Sequence, residues 1–370
     1  MNDNNSPKVI ISGGGTGGHI FPALSIATGI MRRYPQAKIL FVGAIGRMEM
    51  EKVPEAGFDI VGLPVMGFDR KHLLRNFKVL FCVYKSLRLA KKILREFNPD
   101  IAVGVGGYAS GPMLKVAQNV GVPTLIQEQN SYPGVTNKML CAKADAVCVA
   151  YHGLEKFFPA DKIVFTGNPV RQELVESELS PQQARLKLGL NPDLPTILVV
   201  GGSLGARTIN HSIGTHITTL AKSNIQVLWQ CGKQGIEYAD TMLKENPATN
   251  IKASAFIYDM AAAYRAASIV ISRAGASSIS ELQLLGKPVI FVPSPNVAED
   301  HQTHNAMALV KNDAAILVKD SDAQASLVDV ALQLINDNDR LLALSENISK
   351  MAKNNAVDDI VDCISRIIDK

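Results

Sequence analysis

Short apolar runs alternate along this chain with longer segments in which apolar residues recur every three or four positions. In the first half, the apolar runs predict strands at 8–12, 38–43, 101–105, 122–126, 146–150 and 163–166. The longer segments predict helices at 22–34, 46–56, 73–96, 111–119 and 134–142. Strands that alternate with helices are typical of a parallel sheet with helices on both faces.

The second half of the chain repeats the alternation. Its predicted strands are 196–200, 226–231, 252–256, 268–272, 288–292 and 315–318. Its predicted helices are 206–221, 259–266, 277–285, 301–312 and 324–335, and the tail from 340 to 368 is helical and amphipathic in parts. The pattern therefore predicts an α/β protein built from two parallel sheets.

The length of 370 residues favours two domains over one. We expect an N-terminal domain at 1–170, a charged, proline-bearing linker with a helix at 171–195, and a C-terminal domain at 196–340. The final helical segment is 341–370, and one arrangement that the sequence allows is that it packs back on the N-terminal domain. Hydrophobic residues make up 47% of the chain, which is enough for a core in each domain.

Charge and cysteine content narrow the class of protein. Charged residues make up only 19% of the chain, which excludes a disordered protein, and the net charge of +4 does not by itself indicate a nucleic-acid partner. The five cysteines contain no C-x-x-C pair, so we expect reduced thiols in a cytosolic protein. The first residues lack the pattern of a signal peptide, and no apolar stretch approaches the ~18 residues that would cross a bilayer.

Each half opens with a strand that runs into glycines. Loop A (residues 13–19) reads G-G-G-T-G-G-H, and loop C (residues 201–207) reads G-G-S-L-G-A-R. Glycine lets the backbone approach a ligand, and a helix N-terminus offers N–H groups to an anion. The alternative for each loop is a tight turn that only requires positive φ. Two such loops, each opening its own alternation, predict two Rossmann-like halves with a cleft between them.

A nicotinamide cofactor is not expected. A dinucleotide fold places an acid at the end of the second strand to hold the ribose. Here that strand ends in Gly43-Ala44-Ile45-Gly46, and we therefore expect no cofactor.

Two further polar segments follow strands of the first half. Loop B (residues 106–112) is a glycine turn after the strand at 101–105, and Gln127-Glu128-Gln129-Asn130 follows the strand at 122–126. Polar side chains at the carboxyl ends of parallel strands face the crevice of an open α/β sheet. The alternative for the second segment is a solvated loop.

In the second half, the segment 272–282 follows the strand at 268–272. Gly275-Ala276-Ser277-Ser278 is a helix start that suits a diphosphate, and Glu281 could accept two hydrogen bonds from a ribose diol. A capping box of Ser278 with Glu281 is the alternative, and the spacing does not separate the two.

The proline-shaped loop at 293–300 leads into a segment with two histidines. His301 and His304 could bind a metal, but no third ligand is near, so no metal site is expected. Asp300, His301 and Gln302 are better suited to hydrogen bonds with sugar hydroxyls.

Together these motifs resemble those of the MurG family, within glycosyltransferase family 28. In chain order they are Gly14-Gly15-Thr16-Gly17-Gly18-His19, Gly106-Gly107-Tyr108 with Ser110-Gly111-Pro112, Glu128-Gln129-Asn130, Gly167-Asn168-Pro169-Val170-Arg171, Gly201-Gly202-Ser203 with Gly205-Ala206, Ser272-Arg273-Ala274-Gly275-Ala276, Ser280-Glu281 and Asp300-His301-Gln302. The resemblance runs from about Val9 to about Ala308. Gln127 departs from it, because the family usually has histidine there.

The resemblance implies a GT-B fold, with two Rossmann-like domains and an interdomain cleft. It implies an inverting transfer of N-acetylglucosamine from UDP-N-acetylglucosamine to the 4-hydroxyl of the N-acetylmuramoyl unit of lipid I, which gives lipid II for peptidoglycan synthesis. The family acts at the cytoplasmic face of the cell membrane as a peripheral enzyme. The resemblance implies no metal in the site and no nucleic-acid partner.

The resemblance also assigns roles to residues. The donor-binding residues are Thr16, Gly17, Gly18, Asn130, Arg171, Ser203, Ile257, Ala276, Ser277, Ser278, Ile279, Ser280, Glu281 and Gln302. The acceptor-side residues are Gly106, Gly107, Tyr108 and Ser110. For the general base, His19 is the first candidate and Glu128 the rival, because an imidazole titrates near neutral pH.

The segment from Arg70 to Arg95 carries nine Lys or Arg and no acid. We expect it to dock on an anionic membrane surface through Arg75, Phe77, Lys78, Leu80, Phe81, Tyr84, Lys85 and Arg88. The alternative is an ordinary core helix with a solvated basic face. The charge run favours docking, because cations without acids repel one another unless anions are near.

Three other functions remain open on the sequence: a GT-B enzyme that makes another glycoside from a UDP-sugar, a UDP-N-acetylglucosamine 2-epimerase, and a non-catalytic nucleotide-sugar-binding adaptor. A panel of donors and acceptors would identify the first, release of free sugar without an acceptor the second, and UDP binding without turnover the third.

Overall fold

The computed structural model describes residues 6–66, 76–171, 174, 176–202, 204–297 and 300–369, and of residues 76–78 only the backbone. The chain divides into two compact units. The first comprises Met1–Arg171 and Lys353–Lys370, and the second comprises Gln172–Ala352.

The first unit contains a seven-stranded sheet in which every described pairing is parallel. Its strands are β1 (Lys8–Ser12), β2 (Lys38–Ala44), β3 (Asp59–Leu63), β4 (Ile101–Gly104), β5 (Thr124–Glu128), β6 (Ala146–Val149) and β7 (Ile163–Phe165). They lie in the order β3-β2-β1-β4-β5-β6-β7, so the direction of winding reverses between β1 and β4. In such sheets, ligands bind at the carboxyl ends of the strands beside this switch point.

Helices cover both faces of the first sheet. They are α1 (Gly17–Arg33), α2 (Glu49–Glu55), α3 (Asn76–Phe97), α4 (Ser110–Val120) and α5 (Val135–Leu140). One core cluster lies under α1 and includes Val9, Ile11 and Ile26, and another lies under α3 and α4 and includes Ile10, Ile93 and Leu114. Alternate residues of β1 therefore serve opposite faces of the sheet.

The second unit has a six-stranded parallel sheet with the same order of winding. Its strands are β8 (Thr196–Val200), β9 (Gln226–Gln230), β10 (Ile251–Ser254), β11 (Ile269–Ser272), β12 (Val289–Phe291) and β13 (Ile316–Leu317), in the order β10-β9-β8-β11-β12-β13. Its helices are α6 (Pro181–Lys187), α7 (Arg207–Thr215), α8 (Ile217–Lys222), α9 (Ile236–Glu245), α10 (Met260–Ala266), α11 (Ala276–Leu285), α12 (His301–Val310), α13 (Ala323–Ile335) and α14 (Asn338–Lys350). The switch point lies between β8 and β11.

The last helix, α15 (Ala356–Ile368), belongs to the first unit and packs on α1. A Cβ on Gly29 would lie 2.3 Å from Val357 Cγ1, so only glycine lets the two helices approach this closely. Ion pairs join Arg32 to Asp358 and Arg33 to Asp362 along the same contact.

The structure differs from the sequence predictions at several elements. Strand β3 and helix α9 were not predicted, and the single helix predicted at 206–221 is divided into α7 and α8. The first helix begins at Gly17 rather than at residue 22, and Pro22 lies inside it. Within the described ranges, no helix is long and apolar enough to cross a membrane.

Candidate active site

Loops A and B of the first unit pack directly on each other. Loop A follows β1 and loop B follows β4, the strands on either side of the switch point. A Cβ on Gly107 would lie 2.3 Å from the carbonyl oxygen of Gly14, and one on Gly13 would lie 2.2 Å from Val105 Cγ2. A close backbone approach therefore explains Gly107, and the packed side chain of Val105 explains Gly13.

Thr16 and His19 stand where loop A enters α1. Thr16 has extended backbone geometry as the N-cap residue, and its Oγ1 lies 3.4 Å from His19 Nδ1. A Cβ on Gly106 would lie 3.0 Å from His19 Cδ2 and Nε2, so the imidazole contacts loop B. The structure thus brings together His19, Thr16 and Gly106, while Gly17 and Gly18 form the first residues of α1.

The other two residues predicted for the acceptor side differ in exposure. Tyr108 is exposed, whereas Ser110 is buried at the start of α4. Among the residues that the structure describes, the Ser110 hydroxyl has no hydrogen-bond partner.

Glu128 ends β5 and is buried, with both carboxylate oxygens bonded. Oε1 accepts from the backbone N–H and side-chain amide of Asn130, at 2.9 and 3.1 Å. Oε2 accepts from the backbone N–H of Gly134 at 3.0 Å and from the side-chain amide of Asn137 at 2.8 Å. Burial raises the pKa of the Glu128 carboxyl above its ordinary value, and these four N–H groups oppose the rise. The carboxyl thereby shapes the loop that carries Asn130.

Gln127 belongs to a buried amide network behind this loop. Its Nε2 donates to Asn168 Oδ1 at 3.0 Å, and Asn168 Nδ2 donates to the carbonyl oxygen of Gln129 at 3.0 Å. Because Gln127 is fully buried, the position where the family usually has histidine serves the interior of this unit.

Arg171 ends the first unit's main segment and lies over the ring of Phe21 in α1, 5.1 Å from the ring centroid. Guanidinium groups stack favourably on aromatic rings. The contact places Arg171 beside the helix that begins at loop A.

Loop C follows β8, the first strand of the second unit, and packs backbone to backbone. A Cβ on Gly205 would lie 2.4 Å from the carbonyl oxygen of Cys231, and one on Gly232 would lie 2.1 Å from the backbone nitrogen of Gly205. Gly202 has φ +79° and open space around it. Ser203, predicted to contact the diphosphate, lies outside the described residues.

The start of α11 decides between the two interpretations of the segment 272–282. Gly275 is the N-cap residue, and it makes no side-chain cap hydrogen bond. Ser278 lies inside the helix, so the capping-box alternative is wrong. A Cβ on Gly275 would meet only Ser278 Oγ, at 3.9 Å, which leaves the helix end open.

The other residues at this helix start differ in burial. Ser277 and Ser278 are half-buried, whereas Ala276 and Ile279 are buried. The hydroxyl of Ser280 donates to the carbonyl oxygen of Ala276 at 3.1 Å.

Glu281 lies one turn into α11 and is only 7% exposed. The hydroxyl of Tyr264, on α10, donates to Glu281 Oε2 at 3.0 Å. Sequence reasoning missed Tyr264, because its partner lies on a different helix. The contact orients the Glu281 carboxylate.

Ile257 follows β10 and is buried between two exposed aromatic neighbours. The rings of Phe256 and Tyr258 meet edge to face, with centroids 5.0 Å apart. Their exposure leaves an aromatic surface beside the backbone of Ile257.

Gln302 lies in the first turn of α12, and its Oε1 accepts from the backbone N–H of Ser294 at 2.9 Å. Asp300 precedes the helix with φ +49°, and its carboxylate accepts from Thr303 Oγ1 at 2.7 Å. His301 is half-buried and His304 exposed. In the described part of the chain, no group of three His, Cys, Asp or Glu could hold a metal ion.

Helix α3 carries the predicted membrane segment. Arg75 and the side chains of Phe77 and Lys78 lie outside the described residues. Leu80, Phe81 and Tyr84 are 58%, 59% and 53% exposed. The ammonium group of Lys85 lies 4.5 Å from the Phe81 ring centroid, and the guanidinium of Arg88 lies 5.1 Å from that of Tyr84.

The opposite face of α3 is the one that packs in the core, through Val79, Ala90, Ile93 and Leu94. Helix α3 thus has an ordinary core face, as the alternative expected, but Leu80, Phe81 and Tyr84 do not belong to it. They form an exposed apolar surface with cations on its rings.

Two family profiles match this chain. Residues 9–149 match the N-terminal domain of glycosyltransferase family 28, and residues 196–362 match its C-terminal domain. The chain belongs to glycosyltransferase family 28.

Relatives of this family 28 chain match it over nearly all of its length. It is 61% identical over 363 residues to the UDP-N-acetylglucosamine–N-acetylmuramyl-(pentapeptide) pyrophosphoryl-undecaprenol N-acetylglucosamine transferase of Parabacteroides distasonis, covering 98% of this chain and 99% of the relative. It is 59% identical to the transferase of the same name from Bacteroides thetaiotaomicron, covering 93% of each. The crystal structure of Acinetobacter baumannii MurG superposes with a TM-score of 0.77 at 29% identity, covering 97% of this chain and 99% of that one.

The family match confirms the resemblance drawn from the motifs, and the two parallel sheets confirm the predicted pair of Rossmann-like units. The roles of individual residues stay predictions.

Proposed function

We propose that this chain transfers N-acetylglucosamine from UDP-N-acetylglucosamine to the 4-hydroxyl of the N-acetylmuramoyl unit of lipid I, which gives lipid II for peptidoglycan synthesis. The observation that carries the proposal is the 61% identity, over 98% of the chain, to a transferase named for this reaction. Two Rossmann-like units, each with glycine turns at its switch point, supply the kind of scaffold that such a reaction needs.

The second unit binds the donor in this proposal. The diphosphate lies at the uncapped start of α11, because a helix N-terminus attracts anions. The residues that contact it in this proposal are Ser203, Ala276, Ser277, Ser278, Ile279 and Ser280. Glu281, held by Tyr264, accepts hydrogen bonds from the ribose hydroxyls. The backbone of Ile257 pairs with the uracil, beside the exposed aromatic rings.

The donor sugar and the diphosphate have further proposed contacts. Gln302 and His301 form hydrogen bonds with the sugar hydroxyls. Arg171 neutralises the charge of the diphosphate. The donor sugar is also contacted by Thr16, Gly17, Gly18 and Asn130 of the first unit. Loop B, with Gly106, Gly107, Tyr108 and Ser110, faces the acceptor.

His19 is the general base of the proposed reaction. Glu128 is less suited, because each of its oxygens already accepts two N–H groups of its own loop. The His19 imidazole takes the proton of the acceptor 4-hydroxyl as that oxygen attacks the anomeric carbon. The bond to UDP breaks on the opposite face, so the configuration inverts through an oxocarbenium-like transition state. Helix N–H groups and Arg171 stabilise the departing diphosphate.

Helix α3 docks the enzyme on the cytoplasmic face of the cell membrane, where the lipid-linked acceptor is embedded. Exposed Leu80, Phe81 and Tyr84 insert at the interface, while Lys85 and Arg88 meet anionic headgroups. Each basic residue near such a surface contributes about 1 kcal/mol.

Co-sedimentation with anionic vesicles tests the docking. Replacing Arg75, Lys78, Lys85 and Arg88 with Gln abolishes pelleting and leaves UDP binding intact. The matched control variant has Gln in place of four exposed lysines of the second unit, and it still sediments with the vesicles. These lysines are Lys233, Lys244, Lys311 and Lys319. Equal pelleting of the α3 variant and the wild type would show that α3 does not dock on the membrane.

Incubation with radiolabelled UDP-N-acetylglucosamine, with and without lipid I, tests the reaction. The proposal requires labelled lipid II when lipid I is present and no release of sugar when it is absent. Release of free sugar without acceptor would instead indicate an epimerase, and UDP binding without turnover an adaptor.

A further inference from the structure

Glu49 is a buried carboxylate that no motif singled out. It is the first residue of α2 and only 1% exposed. Its Oε1 accepts from the backbone N–H of Ala44 at 2.9 Å, and its Oε2 accepts from the backbone N–H of Gly15 at 2.9 Å. Ala44 ends β2, and Gly15 lies in loop A after β1. One carboxylate therefore joins the ends of two neighbouring strands.

Two glycines are shaped around this side chain. A Cβ on Gly14 would lie 2.2 Å from Glu49 Oε1, and one on Gly43 would lie 2.5 Å from Glu49 Cγ. By contrast, a Cβ on Gly15 would meet nothing within 4 Å. Loop A thus has a closed side, packed on Glu49, and an open side that carries Thr16 and His19.

Among the described residues, no cation is paired with Glu49. Its two hydrogen-bond partners are both backbone N–H groups. A buried carboxylate is costly unless its oxygens are hydrogen-bonded, so the two N–H bonds are what hold the group in place. In return, Gly15 is held at φ +92° and Gly14 at φ +143°. The Gly15 N–H is directed at Glu49 and is not free to bind a phosphate.

We propose that Glu49 is the positioning residue of loop A: it holds the loop in the shape that presents Thr16 and His19 for transfer, while contributing nothing to UDP binding. The part that concerns transfer rests on the proposed function. The part that concerns the loop rests on the two hydrogen bonds alone.

The test compares Glu49→Gln with the wild type and with Glu51→Gln, a matched control on the exposed side of the same helix. The amide that replaces the Glu49 carboxylate has one oxygen, which can accept from only one of the two backbone N–H groups. Its NH₂ group faces the second N–H group, which therefore loses its acceptor. We expect amide hydrogen exchange in residues 13–19 to accelerate at least tenfold in Glu49→Gln. We expect kcat to fall at least tenfold, with the Kd for UDP within twofold of the wild type. The control shows none of these changes.

Glu49→Asp keeps the inference testable if Glu49→Gln does not fold. Its carboxylate is one methylene shorter and reaches one of the two N–H groups, so faster exchange and slower turnover are expected, each to an intermediate degree. Exchange at 13–19 or kcat within twofold of the wild type would overturn the proposal, and so would a loss of UDP affinity as large as the loss of kcat. If the wild type does not transfer sugar to lipid I, the proposed function fails, whereas the exchange comparison still tests Glu49.

Discussion

Loops A and C begin the two units with nearly the same sequence pattern, yet they are built differently. In loop A, a buried carboxylate from α2 accepts the Gly15 N–H, and the side chain of Val105 packs against Gly13. In loop C, Gly205 packs on the carbonyl of Cys231 and on the backbone at Gly232. A glycine-rich turn after a strand therefore predicts close backbone packing, and the groups packed behind it decide which ligand it suits.

The carboxylates of the two units show the same contrast. In the first unit, Glu49 and Glu128 are bonded to N–H groups of nearby loops. In the second unit, the described contact of Glu281 comes from the hydroxyl of a tyrosine on another helix. We infer that the first two carboxylates shape loops, whereas Glu281 is positioned for a ligand.

The largest expected effect is on turnover, at His19. If the imidazole is the general base, His19→Ala lowers kcat by about 10²–10⁴-fold, the usual contribution of a positioned base. UDP affinity stays unchanged, because His19 is not among the residues proposed to bind UDP. Steady-state kinetics and calorimetric titration of UDP measure the two quantities. Near-normal turnover would eliminate His19 as the base.

The next effect tests whether Glu128 is a base or a support for its loop. Glu128→Ala leaves four N–H groups without their acceptor, so we expect the free energy of unfolding to fall by about 3 kcal/mol. Thermal unfolding measures this, with Glu155→Ala, an exposed glutamate of the same unit, as the control. A folded variant of unchanged stability that has lost turnover would instead make Glu128 the base.

Glu281→Ala should weaken UDP binding. Hydrogen bonds to a charged group are worth about 1.5–3 kcal/mol, so the loss of affinity is about tenfold to hundredfold. Glu237→Ala, an exposed glutamate of the same unit, is the control. Lower thermal stability with unchanged affinity would show that Glu281 serves the helix and not the nucleotide.

The smallest effect is expected at Tyr264. Tyr264→Phe removes one hydrogen bond to Glu281 and keeps the ring, which costs about 0.5–1.5 kcal/mol. KM for UDP-N-acetylglucosamine should therefore rise about twofold to twelvefold, with kcat unchanged. An unchanged KM would mean that Glu281 is oriented without Tyr264.

Most strands were predictable because buried parallel strands are apolar runs, and β1 and β8 have the predicted bounds. The half-buried strand β3 contains Gly62 and begins with a charged residue, so it lacks that pattern. Helix α9 has apolar residues at helical spacing, namely Ile236, Ala239, Met242 and Leu243, and the prediction passed over this short segment although the pattern was there.

Within the candidate site, the sequence singled out side chains that stand beside glycine turns, such as His19 and Glu281. It did not single out Glu49 and Tyr264, because each acts through a partner 34 or 17 residues away. Such contacts depend on how strands and helices are placed in space, which the local pattern does not record.

Amide hydrogen exchange of the wild type with and without UDP tests the assignment of the nucleotide most directly. The account predicts slower exchange at residues 257 and 276–281 of the second unit when UDP is bound, with loop A unchanged. Slower exchange confined to loop A, or no change at 276–281, would contradict it.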